Sequence, residues 1–328
     1  MLEQKRQKQN DGDDSSHPPI IQRKVVHVPV RLIAAGDDGG DLPKKKKEIK
    51  IQTLVLTTKA FQAAPALQSL VASKGFELAP TARIVVLCNG ALAVLQELKQ
   101  VFFSSFPNWK IELASITHGA YQKKMGTTTP YHVVHAGVGK LFLVSQASPS
   151  SSSISSSLDD NDHNDPLSPR VLEQAGLHPH VVATPHEMER ILWYKLAANC
   201  VCNPLTAIHQ CTNGELYTRV PNFEQDVMPQ IIEEVCWVMN KMSMPSSDST
   251  ATTNASTEEV QAFVEQVIHD NWYNQSSMQQ DVLYQRPAEI DYLNGFIVEL
   301  GNQHGMDTPM NRQLQQQILE LQKQYLNS

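Results

Sequence analysis

Lys195, Asn199 and Asn203 recur at intervals of four within an otherwise apolar run, Trp193-Tyr194-Lys195-Leu196-Ala197-Ala198-Asn199-Cys200-Val201-Cys202-Asn203-Pro204-Leu205-Thr206-Ala207. On a helix each step of four residues drifts by only about 40°, so the three side chains share one face. An ammonium can give up a proton and amides can orient a polar ligand, provided that the face lines a cleft. A polar stripe wetted by bulk solvent is the alternative, and periodicity does not separate the two. Pro204 deletes one helical hydrogen bond and frees a carbonyl near position 200, irregular backbone of the kind found beside sites.

Arg286-Pro287-Ala288-Glu289-Ile290-Asp291-Tyr292-Leu293-Asn294-Gly295 holds a second candidate. Helical spacing puts Glu289 on the stripe of Leu293, Phe296 and Leu300. In the first turn after Pro287, the helix dipole would keep it ionised, whether it serves a site or only the helix end. Just upstream, Asn274-Gln275-Ser276-Ser277-Met278 offers amides and hydroxyls on a short loop, with helix capping as the plain reading.

No GxGxxG occurs. Gly36-Asp37-Asp38-Gly39-Gly40 follows a possible strand (25–33), but Pro43 and a lysine run come next where a phosphate loop needs a helix. Gly137-Val138-Gly139-Lys140 leads into the strand-like Leu141-Phe142-Leu143-Val144 and reads as a hairpin turn. The 12 histidines show no metal-ligand spacing, and His132 and His135 would point to opposite faces of a strand. No metal is expected.

These residues need elements to position them. Strand signals at 49–56, 83–88, 111–117, 131–144 and 180–183 alternate with helical spacing at 60–72 and 92–102. That order implies a mainly parallel sheet with crossovers. From Glu187 the signals are helical: 187–210, 223–242, 257–274, 287–304 and 308–326, with Pro287 just inside one start and Gly305 just past its end. The fold class is therefore α/β followed by all-α, with the cleft between them as the default ligand site.

Residues 1–20 read as a disordered tail, 21–186 as the α/β domain and 187–328 as the helical domain. Serine- and aspartate-rich residues 146–169, and the Ser/Thr/Asn-rich 243–257, read as insertions without a core. A net charge of −7 with no basic face argues against nucleic acid as a main partner. The tetralysine Lys44–Lys47, flanked by Asp41, Pro43 and Glu48, reads as a solvated loop. No stretch has the roughly 20 apolar residues of a membrane span. Five cysteines, an odd number with no C-x-x-C, suggest reduced buried thiols and a cytoplasmic setting.

Taken in order, Lys195-Leu196-Ala197-Ala198-Asn199, Asn203-Pro204-Leu205-Thr206-Ala207, Asn213-Gly214-Glu215-Leu216, Ser276 to Asp281 and Arg286 to Gly295 resemble the signature of the 2-dehydropantoate 2-reductase (ketopantoate reductase) family. Thr58-Lys59-Ala60, Asn89-Gly90, Thr117-His118-Gly119-Ala120 and His135-Ala136-Gly137 look like its nucleotide-domain landmarks. The resemblance spans residues 25–325 and implies NADPH-dependent reduction of 2-dehydropantoate to pantoate, with Lys195 as proton donor. Asn199, Asn203 and Ser277 match substrate-holding positions, with Asn213, Asn274 and Ser276 nearby. Glu289 matches the acid orienting the reacting groups at the nicotinamide end, and Lys59, Asn89 and Ala120 match cofactor positions. The helical domain would also serve dimerisation.

One departure stands out, because the family opens with a strand, GxGxxG and a helix where this chain has a polar tail. The α/β domain is thus expected to be an incomplete Rossmann-like sheet, without the helix N-terminus that cradles a pyrophosphate. Two readings follow: a full enzyme from a truncated gene model, or a degenerate relative acting as an oligomerisation or small-acid-binding module. Reduction of another 2-oxoacid is a third.

Overall fold

The computed structural model describes residues 49–73, 76–123, 132–145, 167–242 and 255–326. The tail, the candidate strand 25–33, the glycines at 36–40, the tetralysine and most of both insertions lie outside the described residues. Among the described residues there are two compact units: residues 118–123 with 132–138, and the described residues of 49–117 and 139–326.

In the larger unit, β1 (Ile49–Leu56), β2 (Phe76–Val86) and β3 (Lys110–Leu113) pair in parallel in that order. The crossovers are α1 (Ala60–Ala72) and α2 (Ala91–Phe102). Alternation along β2 sends Ile84 and Val86 into a core with Leu67, Val94 and Leu98 of the two helices. Val85 between them joins a smaller core on the opposite face, with Ala114, Leu141, Leu143 and Leu172. This sheet buries both faces, as parallel sheets must. β2 starts seven residues before the apolar run, because its first half (Phe76–Ala82) carries a register shift against β1 and breaks the alternation.

A second sheet orders as β4 (Ser115–Ile116), β7 (Leu141–Val144) and β8 (Pro179–Val182), antiparallel then parallel. The other compact unit is the antiparallel pair β5 (Gly119–Lys123) and β6 (His132–Gly137). Residues 137–140 therefore link two pairings. They are not the hairpin turn that the sequence suggests, since β6 pairs with β5 while β7 pairs with β4 and β8. Before β8, Ser168 caps a short helix, α3 (Pro169–Gln174), so the end of the stretch 146–169 read as coreless belongs to a capped helix.

The helical part opens with α4 (Pro185–His209), which Thr184 and Glu187 start as a variant of the capping box. Thr184 Oγ1 accepts from Glu187 N, and Glu187 Oε2 accepts from Ala183 N. α4 runs through two cores: Met188 and Leu192 belong to the sheet core, while Leu196, Ala197 and Val201 belong to the helical core. The residues between these groups stand where the cores meet.

A short α5 (Leu216–Arg219) and a π-helical turn (Phe223–Val227) lead into α6 (Met228–Met242). Then come α7 (Thr257–Asp270), α8 (Ser277–Leu283), a 3-10 turn (Ile290–Tyr292), α9 (Asn294–Gln303) and α10 (Pro309–Leu326). The helix expected over 287–304 is shorter than its spacing suggests. Pro287 precedes any helix, and Leu293 at φ −114°, ψ −98° separates the 3-10 turn from α9. Gly305 does follow the helix end, at φ +69°.

The carbonyl freed by Pro204 is that of Cys200, and it accepts from Asn294 Nδ2 at 3.0 Å. Asn294 Nδ2 also reaches Asn311 Oδ1, and Asn311 donates to Glu234 Oε2. Glu234 in turn accepts from the backbone N–H groups of Met310 and Asn311 at the start of α10. The irregular backbone thus serves packing of α4 against α9 and α10, not a ligand. The five cysteines are free thiols, four of them buried and Cys88 partly exposed. No described helix is long and apolar enough to cross a membrane.

Candidate active site

The cleft lies at the carboxyl ends of the parallel strands. The turn after β2 supplies Cys88, Asn89 and Gly90; α4 supplies Leu192, Lys195, Leu196 and Asn199; Tyr292 closes one side. The space is about 280 Å³, part of it open to solvent. Lys195 stands on α4 where the two cores meet, and Asn199 follows one turn later in the helical-core stretch. The polar stripe is split: Lys195 and Asn199 line the cleft, whereas Asn203 is buried and is not among its lining residues.

Lys195 Nζ donates to the carbonyl of Ile116, at the end of β4, at 2.8 Å. Burial of the ammonium lowers its pKa from 10.5 to about 8, opposed by Cys88 and Glu289. Burial likewise pushes the Cys88 thiol up to about 12, with Glu289 adding to the rise and Lys195 opposing it. A thiol that ionises only there is neutral at pH 8, so Glu289 is the charged neighbour that supports the ammonium. The side chain therefore carries a transferable proton at neutral pH and sits close to the pH at which it can release it, as a general acid requires.

Glu289 is not in the first turn of its own helix. It precedes the 3-10 turn and is buried, and its Oε1 accepts from Ala60 N at 2.7 Å, at the N-terminus of α1. The dipole that favours its charge is that of α1, a neighbour distant in sequence. Its Oε2 lies 3.4 Å from Lys59 Nζ, and the same ammonium stands 2.6 Å from Asp281 Oδ2. Lys59 is the residue just before α1, whose N-terminus has no other side-chain cap among the described residues.

The remaining candidates separate. Asn203, one turn beyond Asn199, is buried. Ser276 caps α8, accepting from Gln279 N, and its Oγ also accepts from Thr206 Oγ1 at 2.7 Å. Ser277 is exposed on the first turn of α8. Asn213 and Asn274 stitch two loops: Asn213 N donates to Asn274 O, Asn213 Nδ2 to Asn271 O, and Asn274 Nδ2 to Asn271 Oδ1. Asn213 Oδ1 is left buried without a hydrogen bond. Ala120 lies in the separate hairpin unit. Asp281, Cys88 and Tyr292 carry no mark in the sequence that assigns them to the site. A buried aspartate on a seven-residue helix has too little periodicity to show its burial, and the other two enter the site through long-range packing.

Whole-sequence matches agree with this arrangement. Residues 7–146 match the family described as ketopantoate reductase PanE/ApbA, and residues 187–322 match its C-terminal region. The 2-dehydropantoate 2-reductase of Vibrio cholerae is 32% identical over 280 residues, which cover 84% of this chain and 80% of that protein. The chain belongs to the ketopantoate reductase family. The Shigella flexneri 2-dehydropantoate 2-reductase is 30% identical, over 83% of this chain and 75% of that one. A ketopantoate reductase from Ralstonia eutropha has the same fold, at TM-score 0.60 and 21% identity, over 84% of this chain and 76% of that structure. The family match begins at residue 7, ahead of the span 25–325 over which the motifs resemble the family.

The Asn89–Gly90 turn could hold part of a nucleotide cofactor. Gly90 begins α2 at φ +65°, and a Cβ there would stand 2.8 Å from Tyr292 Cβ and from the Tyr292 carbonyl oxygen. The α2 N-terminus has no side-chain cap among the described residues, so backbone N–H groups could meet a polar ligand. Asn89 and Gly90 line the same cleft as Lys195, so a polar part of a cofactor held there would lie beside it. Gly90→Ala is expected to cost roughly 1–3 kcal/mol, from the left-handed backbone and the clash together, read as a lower Tm in thermal melts.

Proposed function

We propose that the protein is an NADPH-dependent 2-dehydropantoate 2-reductase that forms pantoate, with Lys195 as proton donor. The observation that carries the reading is the half-buried Lys195 ammonium, facing a cleft that it shares with Asn89 and Asn199.

Bound NADPH supplies a hydride to the C2 carbonyl of the substrate. The chain's residues do the rest. Lys195 holds its proton against the carbonyl oxygen and passes it on as negative charge builds there, and burial in the cleft makes that charge interaction stronger than it would be in water. Asn199 and Asn203, one turn apart on α4, and Ser277 on α8 bind the substrate's hydroxyl and carboxylate. Asn213, Asn274 and Ser276 hold the loops that carry them. Asn89, at the uncapped start of α2, Lys59 and Ala120 contact the cofactor. Glu289 orients the reacting end and keeps Lys195 charged.

The proposal includes the organisation read from the sequence: a tail (1–20), an α/β nucleotide domain (21–186) and a helical substrate and dimerisation domain (187–328). Exposed Trp237, Leu283 and Tyr284 on helical-part surfaces support a homodimer. A cytoplasmic setting suits five free thiols.

Calorimetry of the 328-residue chain with NADPH, with and without 2-dehydropantoate, tests the reading. Micromolar binding followed by NADPH consumption on adding the oxoacid is expected. A chain that binds neither ligand overturns the assignment.

A further inference from the structure

Two buried carboxylates, one ammonium and one guanidinium meet at the start of α1. Lys59 Nζ stands 2.6 Å from Asp281 Oδ2 and 3.4 Å from Glu289 Oε2. Asp281 Oδ1 takes Arg286 at 3.2 Å. The two acid side chains are 2% and 6% exposed, whereas Lys59 is 35% and Arg286 49% exposed. The acids thus sit in low dielectric and the bases keep part of their hydration.

We infer that Asp281 is a positioning residue, which holds the Lys59 ammonium and so leaves Glu289 its negative charge toward Lys195. The inference rests on the reductase reading for its purpose, though not for its geometry. A lysine shared between two carboxylates neutralises most strongly the one it touches more closely. Here that is Asp281, by 0.8 Å, taking 2.6 from 3.4 Å. Without Asp281, Lys59 would close on Glu289. The Glu289 charge would then be cancelled by its own partner, and the buried Lys195 would lose the one ionised group that offsets its desolvation.

The groups facing these residues are few among those described. Asp281 meets Lys59 from the start of α1 and Arg286 from its own connecting loop, and its charge reaches Tyr325 of α10. Tyr325 donates to the Arg286 carbonyl. Lys195 faces Cys88 after β2, Glu289, and the Ile116 carbonyl. Of these Glu289 is the one carboxyl group, and its field raises the Lys195 pKa. An ordinary structural ion pair between Asp281 and Lys59 would also hold α8 to α1, and its charges would act on Lys195 only through their own fields, each independent of the other.

The test is an NMR titration of the Lys195 side chain in the unliganded protein, assigned with Lys195→Arg. Asp281→Asn should lower the Lys195 pKa by about half a unit, Lys59→Gln should raise it by about as much, and Asp281→Glu should restore it. Direct fields would also give opposite signs, so the deciding variant is Asp281→Asn in the Lys59→Gln background: a residue that acts through Lys59 should give no further shift there, whereas an additive shift overturns the inference. No change in either variant, or a change of the same sign in both, overturns the inference. If Asp281→Asn fails to fold, an unmoved Lys195 in Lys59→Gln refutes it. Failure of the reductase reading would appear separately, as no turnover of 2-dehydropantoate by a wild-type chain whose Lys195 titrates normally.

Discussion

Lys195→Ala is expected to lower kcat by roughly 10²–10⁴-fold with NADPH and 2-dehydropantoate, the range for loss of a general acid. KM should change far less, because the proton moves only as the transition state forms. In the wild type, the rate should fall as pH rises through about 8, as the ammonium is lost. The stability effect runs the other way. Burial favours neutral lysine in the folded chain, whereas the unfolded chain keeps its proton up to about 10.5. Below pH 8 both states are protonated and the folded state bears the whole desolvation cost. Between about 8 and 10.5 the unfolded state binds more protons, so stability rises with pH. Lys195→Met should therefore stabilise the protein at pH 7, by about 1–3 kcal/mol after discounting for the open side of the cleft, while abolishing turnover. Urea melts of both proteins at pH 7 and pH 10 read this directly: the gap should narrow at the higher pH. A mutant no more stable than wild type at pH 7 would show that Lys195 is well solvated.

Glu289→Ala is the second large effect, and it should strike stability and turnover together. The substitution removes the acceptor for Ala60 N, one partner of Lys59 and the charge that supports Lys195. Loss of a helix cap costs about 0.5–2 kcal/mol. Breaking a buried ion pair costs more, but Lys59 keeps Asp281 and about a third of its exposure, so that part is discounted. A total of about 2–3 kcal/mol is expected, with Tm falling accordingly. Turnover should drop by roughly 10-fold or more even where the protein remains folded, since orientation and charge at the reacting end are lost together. Glu289→Gln keeps an acceptor for Ala60 N and should recover most of the stability. It should not recover the pH profile, because with the charge gone the fall in rate moves to lower pH. Recovery of both by glutamine would mean that Glu289 acts only as a cap.

The two substitutions show how different kinds of signal reach the sequence. Lys195 and Asn199 were legible because a 3.6-residue period puts them on one face of a long helix, and α4 does form over that stretch. Whether the face met water or a cleft was not legible. That depended on α4 being long enough to pass from the sheet core to the helical core, with the turn after β2 folded against its middle. Glu289 was legible as a candidate and misplaced in structure. Its spacing suited a helix starting at Pro287, but the chain makes a 3-10 turn and a break at Leu293 before α9. The physical reason is tertiary: Glu289 serves as cap for α1, and Asn294 must reach the carbonyl that Pro204 frees on α4.

The sequence by itself determined the alternation of strand and helix up to Val182, the helical remainder, and the pairing of a lysine with asparagines on one helix face. Those are local facts, written in periods of two and 3.6 and in turn residues. Motif order likewise carried the family. Tertiary structure alone decided that β6 pairs with β5 while β7 pairs with β4 and β8, that Cys88 and Tyr292 wall the cleft, and that Asp281 and Glu289 share Lys59. Each of these joins residues far apart in the chain. Their energies come from burial and charge in three dimensions, and no periodicity along one dimension records them.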